Sequence, residues 1–79
     1  MEKKLILYTG PNCHLCEQAK AILYSLLDGG EWSLQEVNIE GDPGLQEKYG
    51  IRIPVIVTPN GDEKGWPFTA GQVKRLLGS

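Results

Sequence analysis

The sequence predicts an α/β domain built on a four-stranded mixed sheet, with elements in the order β-α-β-α-β-β-α. Three observations carry this expectation. The apolar runs Leu5-Ile6-Leu7-Tyr8 and Val55-Ile56-Val57 are short, dense and bounded by charge or turn residues, as buried strands are. Between the first run and an alternating segment at 32–38 lies a stretch of helical spacing, which makes a βαβ unit with parallel strands. The turn Thr58-Pro59-Asn60-Gly61 joins the Val55 run to a weaker apolar segment, a hairpin added to the same sheet.

The elements follow in order. Strand one ends at Thr9-Gly10-Pro11, and Pro11 with Asn12 closes the turn. Helix one is expected to turn Leu15, Ala19, Ile22, Leu23 and Leu26 inward and Glu17, Gln18 and Lys20 outward, and to stop at Gly29-Gly30. Strand two covers about 32–38; its apolar positions are even early (Trp32, Leu34) and odd later (Val37, Ile39), which reads as a bulge or as the strand's end. Asp42 caps helix two with Pro43 at its first position, and Gly50 is placed to end it with a left-handed cap. Strand four, through about Lys64-Gly65-Trp66, suits a sheet edge. Helix three opens on the capping box Thr69-x-x-Gln72, with Phe68 and Val73 placed as a hydrophobic staple, and turns Val73, Leu76 and Leu77 inward before ending at Gly78.

Length and charge narrow the function. Residues 1–79 make one small domain. The formal net charge is −2 and no basic cluster stands out, so neither nucleic acid nor an anionic membrane is expected as partner. The start Met1-Glu2-Lys3-Lys4 leads into only a short apolar run, too short for a signal-peptide core or a membrane span. The expected location is therefore a reducing cytoplasm, where paired cysteines are catalytic or metal-binding more often than structural. With no large exposed apolar face foreseen, the chain is expected to be a monomer.

Both cysteines lie in Cys13-His14-Leu15-Cys16, between the first strand and the first helix. Random placement would produce this spacing only about one time in forty, so the pair points to a mechanism. A bridge between Cys13 and Cys16 closes too short a loop to constrain the unfolded chain much, and so makes a poor staple but a sound reactive group. At a helix N-terminus, unpaired backbone N–H groups and the helix dipole favour a thiolate. Cys13 is accordingly read as the nucleophile, partly exposed and with a pKa lowered to roughly 4–7, and Cys16, one turn on and more shielded, as the resolving thiol. His14 next to the nucleophile either adds positive charge in favour of the thiolate or is an exposed polar residue of the first turn. Glu17 steadies the first turn and modestly opposes the thiolate. A closed zinc site needs four ligands, and two thiols with one histidine fall short, so no metal is expected within the chain.

The element order, the Cys-x-x-Cys at the first strand-to-helix junction and Ile53-Pro54-Val55 opening the third strand together resemble the thioredoxin superfamily. At this length the chain is most similar to glutaredoxins, and Gly10-Pro11-Asn12-Cys13-His14-Leu15-Cys16-Glu17-Gln18-Ala19 looks closer still to small bacterial glutaredoxin-like proteins of largely unassigned function. The resemblance covers essentially the whole chain and implies a three-layer thioredoxin/glutaredoxin-like fold. It also implies thiol–disulfide oxidoreductase activity and a cis Pro54 beside the cysteines, against the simpler reading of a trans proline starting an edge strand. Ile53 would then offer its backbone N–H and C=O to a substrate as an extra strand.

The chain departs from the glutaredoxin pattern in carrying His14-Leu15 between the cysteines, and Lys64-Gly65-Trp66-Pro67-Phe68-Thr69, without an acidic cap, before the last helix. Pro11 is placed at the rim of the cleft. Arg52 has a planar fork suited to a substrate carboxylate, or is a solvated charge. The expected partner is a disulfide-containing protein or glutathione as co-substrate, with no resident cofactor. Two other functions stay open: a non-catalytic binding module that keeps the fold, and an iron–sulfur or zinc site shared between chains.

Overall fold

In the computed structural model, which describes residues 3–78, the order is β1 (Lys4–Thr9), α1 (His14–Leu27), β2 (Ser33–Asn38), α2 (Pro43–Tyr49), β3 (Val55–Val57), β4 (Glu63–Gly65) and α3 (Ala70–Gly78). Met1, Glu2 and Ser79, and with them the start of the N-terminal reading, lie outside the described residues. The strands stand in the order β2-β1-β3-β4. β1 runs parallel to β2 and antiparallel to β3, and β4 pairs antiparallel with β3 at the edge. No helix among the described residues is long and apolar enough to cross a membrane.

Strand alternation sends successive side chains to opposite faces, and the two faces build two cores. On one face Leu5, Leu7 and Ile56 meet Ala19 and Leu23 of α1, Phe68, and Val73 of α3. On the other, Val55 meets Ile39 and Tyr49, with Tyr8, Leu45, Ile53 and Val57 packed around them. The Tyr8 and Tyr49 rings stack at 4.4 Å between centroids. The result is three layers: α1 and α3, the sheet, then α2. Since α2 is only seven residues long, its layer is thin, and Ile6 and Tyr8 on that face of β1 are half-buried where Leu5 and Leu7 are fully buried.

The local signals act as their chemistry requires. Asp42 Oδ1 accepts the Leu45 N–H at 3.1 Å with Pro43 at the helix start. Thr69 and Gln72 exchange both bonds of the capping box, Gln72 N–H to Thr69 Oγ1 at 3.1 Å and Thr69 N–H to Gln72 Oε1 at 3.0 Å. The staple partners Phe68 and Val73 are both buried in the α1–α3 core. In the β3–β4 turn the Gly61 N–H reaches Thr58 O at 2.9 Å.

Three expectations are corrected. Leu15 does not face the core; it is 42% exposed, and Cys16 takes its place on the buried stripe with Ala19 and Leu23. The helix begins only at His14, and that phase turns position 16 toward the sheet and position 15 out. The parity switch in strand two is neither a bulge nor an end. The ladder with β1 runs unbroken from Lys4 with Ser33 to Thr9 with Asn38, and the switch is a change of core: Trp32 and Leu34 join the α1–α3 side, Ile39 the α2 side. Gly50 is right-handed, at φ −51° and ψ −40°. Glycine suits it for lack of room, because a Cβ there would overlap the carbonyl of Gln46, which accepts the Gly50 N–H at 2.8 Å.

Leu7 is fully buried in the central strand, whereas Ile51 is fully exposed. Leu7→Ala is expected to cost about 2–5 kcal/mol of unfolding free energy in urea melts, and Ile51→Ala to stay within about 0.5 kcal/mol of the parent.

Candidate active site

β1 delivers the chain to the top of the sheet, and the loop 10–13 turns it into α1. Asn12 makes that turn at φ +54°, a left-handed conformation that asparagine tolerates better than other side-chain-bearing residues. Gly10 sits under the segment before β3: a Cβ at this position would meet Ile53 Cδ1 at 2.8 Å. The β1–β3 register explains the approach. Tyr8 lies opposite Val55, so the next steps bring Pro54 across from Thr9 and Ile53 across from Gly10. The Ile53–Pro54 peptide is cis, as is Trp66–Pro67.

Cys13 is the N-cap of α1, and its Sγ accepts the Cys16 N–H at 3.1 Å. The usual capping atom is a side-chain oxygen; here a sulfur satisfies one of the otherwise unpaired N–H groups of the first turn. Cys13 is half-buried, and Cys16 is buried, with 1% of its surface exposed. The two are joined as a disulfide across a Cα–Cα distance of 5.2 Å. Beside Cys13 an open cleft of about 480 Å³ is lined by Gly10, Asn12, Cys13, His14, Glu17 and Lys20.

Of the residues singled out in the sequence, Cys13 and His14 meet in that cleft, and Cys16 lies behind them. Pro54 is fully buried just before β3 and is not on the cleft wall. Pro11 is exposed beside the cleft and does not line it. Two readings are corrected. The Ile53 N–H is already bonded to Tyr49 O at 3.0 Å, because the turn after α2 folds back on the helix end, so Ile53 has only its carbonyl to offer an incoming strand. Arg52 is neither free nor in the cleft: its Nη2 lies 3.2 Å from Glu63 Oε1, and its guanidinium sits 5.4 Å from the Tyr49 ring centroid.

Lys20 was not foreseen. Its Nζ bridges Glu17 at 3.3 Å and Glu36 at 3.2 Å, and the bonded Glu36 carboxylate raises its pKa above the ordinary lysine value. Glu36 in turn is held below the usual carboxylate range, chiefly by the Tyr24 hydroxyl and then by Lys20. The i,i+3 spacing of Glu17 and Lys20 was the available signal. The pair places a cation beside Glu17, which lines the cleft with Cys13, and so offsets part of the negative charge there. Among the described residues, no three His, Cys, Asp or Glu side chains gather into a group able to hold a metal.

A mixed sheet of order β2-β1-β3-β4 between helical layers, with a Cys-x-x-Cys at the N-terminus of the helix after its central strand, defines a thioredoxin-like protein of the glutaredoxin type. Within that class the chain belongs to the glutaredoxin-like domain family (DUF836), whose model matches residues 4–78. Protein XcR50 from X. campestris is similar at 38% identity; in its X-ray structure the match covers 94% of this chain and 95% of that one, with a TM-score of 0.83. Protein Ne2328 from Nitrosomonas europaea is 29% identical over 98% of this chain and 93% of its own, with a TM-score of 0.80. A malarial protein of 15% identity, covering 95% of this chain and 92% of its own at a TM-score of 0.74, shares the fold. No curated protein matches the chain.

Glu63 ties the far side of this loop together. It accepts from the Tyr49 hydroxyl at 2.8 Å and pairs with Arg52 and Lys48, and these partners, the hydroxyl first, lower its pKa. A lowered folded-state pKa contributes stability above the unfolded value, 4.5, that is lost as pH falls through the folded one. Urea midpoints measured from pH 7 to pH 3 are expected to fall, and Glu63→Gln to flatten part of that fall.

Proposed function

We propose that the protein is a thiol–disulfide oxidoreductase in which Cys13 attacks and Cys16 resolves. The observation that carries this reading is the capping bond, in which the half-exposed sulfur of Cys13 receives the N–H of Cys16 at the start of α1. A negative sulfur there gains from the unpaired amides and the helix dipole, and a neutral one gains less. Opening the disulfide therefore leaves Cys13 as the thiolate. It attacks one sulfur of a substrate R–S–S–R′, releasing R′S⁻ and forming a Cys13–S–S–R bond. Cys16, its proton lost, attacks Cys13 Sγ, releases RS⁻ and restores the Cys13–Cys16 disulfide. Two electrons pass from the protein to the substrate, and an external thiol pair returns them.

His14, on the cleft wall and next in sequence to Cys13, adds positive charge when protonated and favours the thiolate. Pro54, fully buried and one step past the Tyr8–Val55 pair, has no N–H with which to compete for the sulfurs. Pro11 and the Ile53 carbonyl border the approach for substrate. Substrates are disulfide-containing proteins or glutathione, handled by a monomer in a reducing cytoplasm with no further cofactor. Arg52 contributes through the Glu63 network and not by holding a substrate carboxylate.

Iodoacetamide alkylation of the reduced protein across pH is expected to show Cys13 titrating well below the ~8.5 of a free cysteine. Cys16→Ser is expected to accumulate mixed disulfides at Cys13, and Cys13→Ser to abolish reduction of hydroxyethyl disulfide. A Cys13 that titrates as a free thiol, together with a Cys16→Ser variant that traps nothing from lysate or with glutathione, would remove the basis for this function.

A further inference from the structure

Thr9 Oγ1 is the one buried side-chain nitrogen or oxygen without a hydrogen-bond partner among the described residues, in a residue only 6% exposed. The other buried threonine, Thr58, accepts the Asp62 N–H at 3.1 Å. The Thr9 backbone is also engaged, its carbonyl accepting the Ile39 N–H at 2.9 Å. A lone buried hydroxyl is costly, and one in a redox protein invites the question of which state it serves.

Its position suggests the state. Alternation places Thr9 on the face of β1 that carries Leu5 and Leu7, the face covered by α1. The buried stripe of α1 is Cys16, Ala19 and Leu23, and Ala19 and Leu23 share a core with Leu5 and Leu7. α1 returns antiparallel to β1 in the βαβ unit, so Cys16 stands at the end of β1 where Thr9 lies. Pro54, one step past the Tyr8–Val55 pair and on the Ile56 face, stands opposite Thr9 and has no N–H to give it.

We propose that Thr9 is a positioning residue for the dithiol state: its hydroxyl, idle while Cys16 is bonded to Cys13, accepts the S–H of Cys16 once the disulfide opens. This rests on Cys13 and Cys16 acting as a redox pair. In the opening step an external dithiol gives up two electrons and two protons and becomes a disulfide. The Cys13–Cys16 bond breaks; one proton stays on Cys16 and the other goes to solvent, leaving Cys13 as thiolate. Only then does the buried Cys16 carry a donor, and Thr9 Oγ1 is the acceptor left unused beside it. The hydroxyl thus favours the reduced protein and has nothing to offer the oxidised one.

The test equilibrates wild type, Thr9→Val and Thr9→Ser with dithiothreitol buffers and reads the oxidised fraction by alkylation and mass. Thr9→Val keeps the shape and removes the acceptor; it is expected to shift the equilibrium about threefold toward the disulfide without lowering the melting temperature of the oxidised form. Thr9→Ser is expected to stay at the wild-type equilibrium. An unshifted Thr9→Val equilibrium overturns the proposal. Should Thr9→Val fail to fold, a crystal structure of reduced wild type decides: Cys16 Sγ within hydrogen-bond reach of Thr9 Oγ1 supports it, and a water on Oγ1 with Cys16 turned away overturns it. A wild type that equilibrates with dithiothreitol yet reduces no disulfide substrate would refute the oxidoreductase function while leaving the Thr9 comparison readable.

Discussion

Cys13 ends the loop from β1 and begins α1 in the same residue, so the sulfur that satisfies the helix's first turn is also the sulfur bonded to Cys16. The rest of the molecule can be understood as the support for that coincidence. β1 lies inside the sheet, flanked by β2 and β3, and its end is held on both sides: Ile39 N–H bonds Thr9 O at 2.9 Å, and the β3 register sets Ile53 over Gly10. The next three residues must then turn sharply enough to start a helix, which is the work of Pro11 and of Asn12 in its left-handed conformation. A side chain at Gly10 would push against Ile53, and the second core would transmit the displacement, since Ile53 packs with Val55, Tyr49 and Ile39.

The two cysteines receive different environments from one helical turn. Position 13 precedes the helix and faces the cleft; position 16 falls on the stripe that packs against the sheet. The asymmetry needs no special residue: an i,i+3 pair shares one side of the helix, and the two sulfurs differ because Cys13 is the N-cap at the rim while Cys16 lies one turn further in, against the sheet. It does need the helix to start at His14. Shifted by one residue, the stripe would bury Leu15, and Cys16 would turn toward solvent.

That phase is where the sequence was hardest to read. Signals made by a few residues bonding their own nearby backbone were legible: Asp42 with Pro43, Thr69 with Gln72, and the turn before Asp62 each name their own geometry. Leu15 was misplaced because apolar spacing fits two neighbouring stripes, and nothing in the residues alone says whether a cysteine or a leucine takes the inner one. The change of face along β2 was invisible for a related reason: a strand that feeds two cores has no single apolar parity. At the site, the cysteines and Pro54 stood out by type and spacing, whereas the Glu17–Lys20–Glu36 chain depends on β2 passing beside α1, a tertiary fact. Arg52 was misread because its partner Glu63 lies on β4 and comes to it only through the β3–β4 hairpin.

These placements bear on what can reach the sulfur. The cleft beside Cys13 is lined by His14, Glu17 and Lys20 of α1 and by Gly10 and Asn12 of the loop before it, and by none of residues 52–54. On the other side the groups a peptide would grip are largely committed: the Ile53 N–H to Tyr49, the Arg52 fork to Glu63, the Pro54 carbonyl to the Trp66 N–H at 3.1 Å. A substrate that docked mainly as an added strand would find one free carbonyl and no charged clamp. The α1 side of the cleft carries Lys20, one cation held between the two carboxylates Glu17 and Glu36, beside His14. With its Nζ already paired to both carboxylates, Lys20 is no freer than Arg52 to clamp the charge of a substrate under the proposed function.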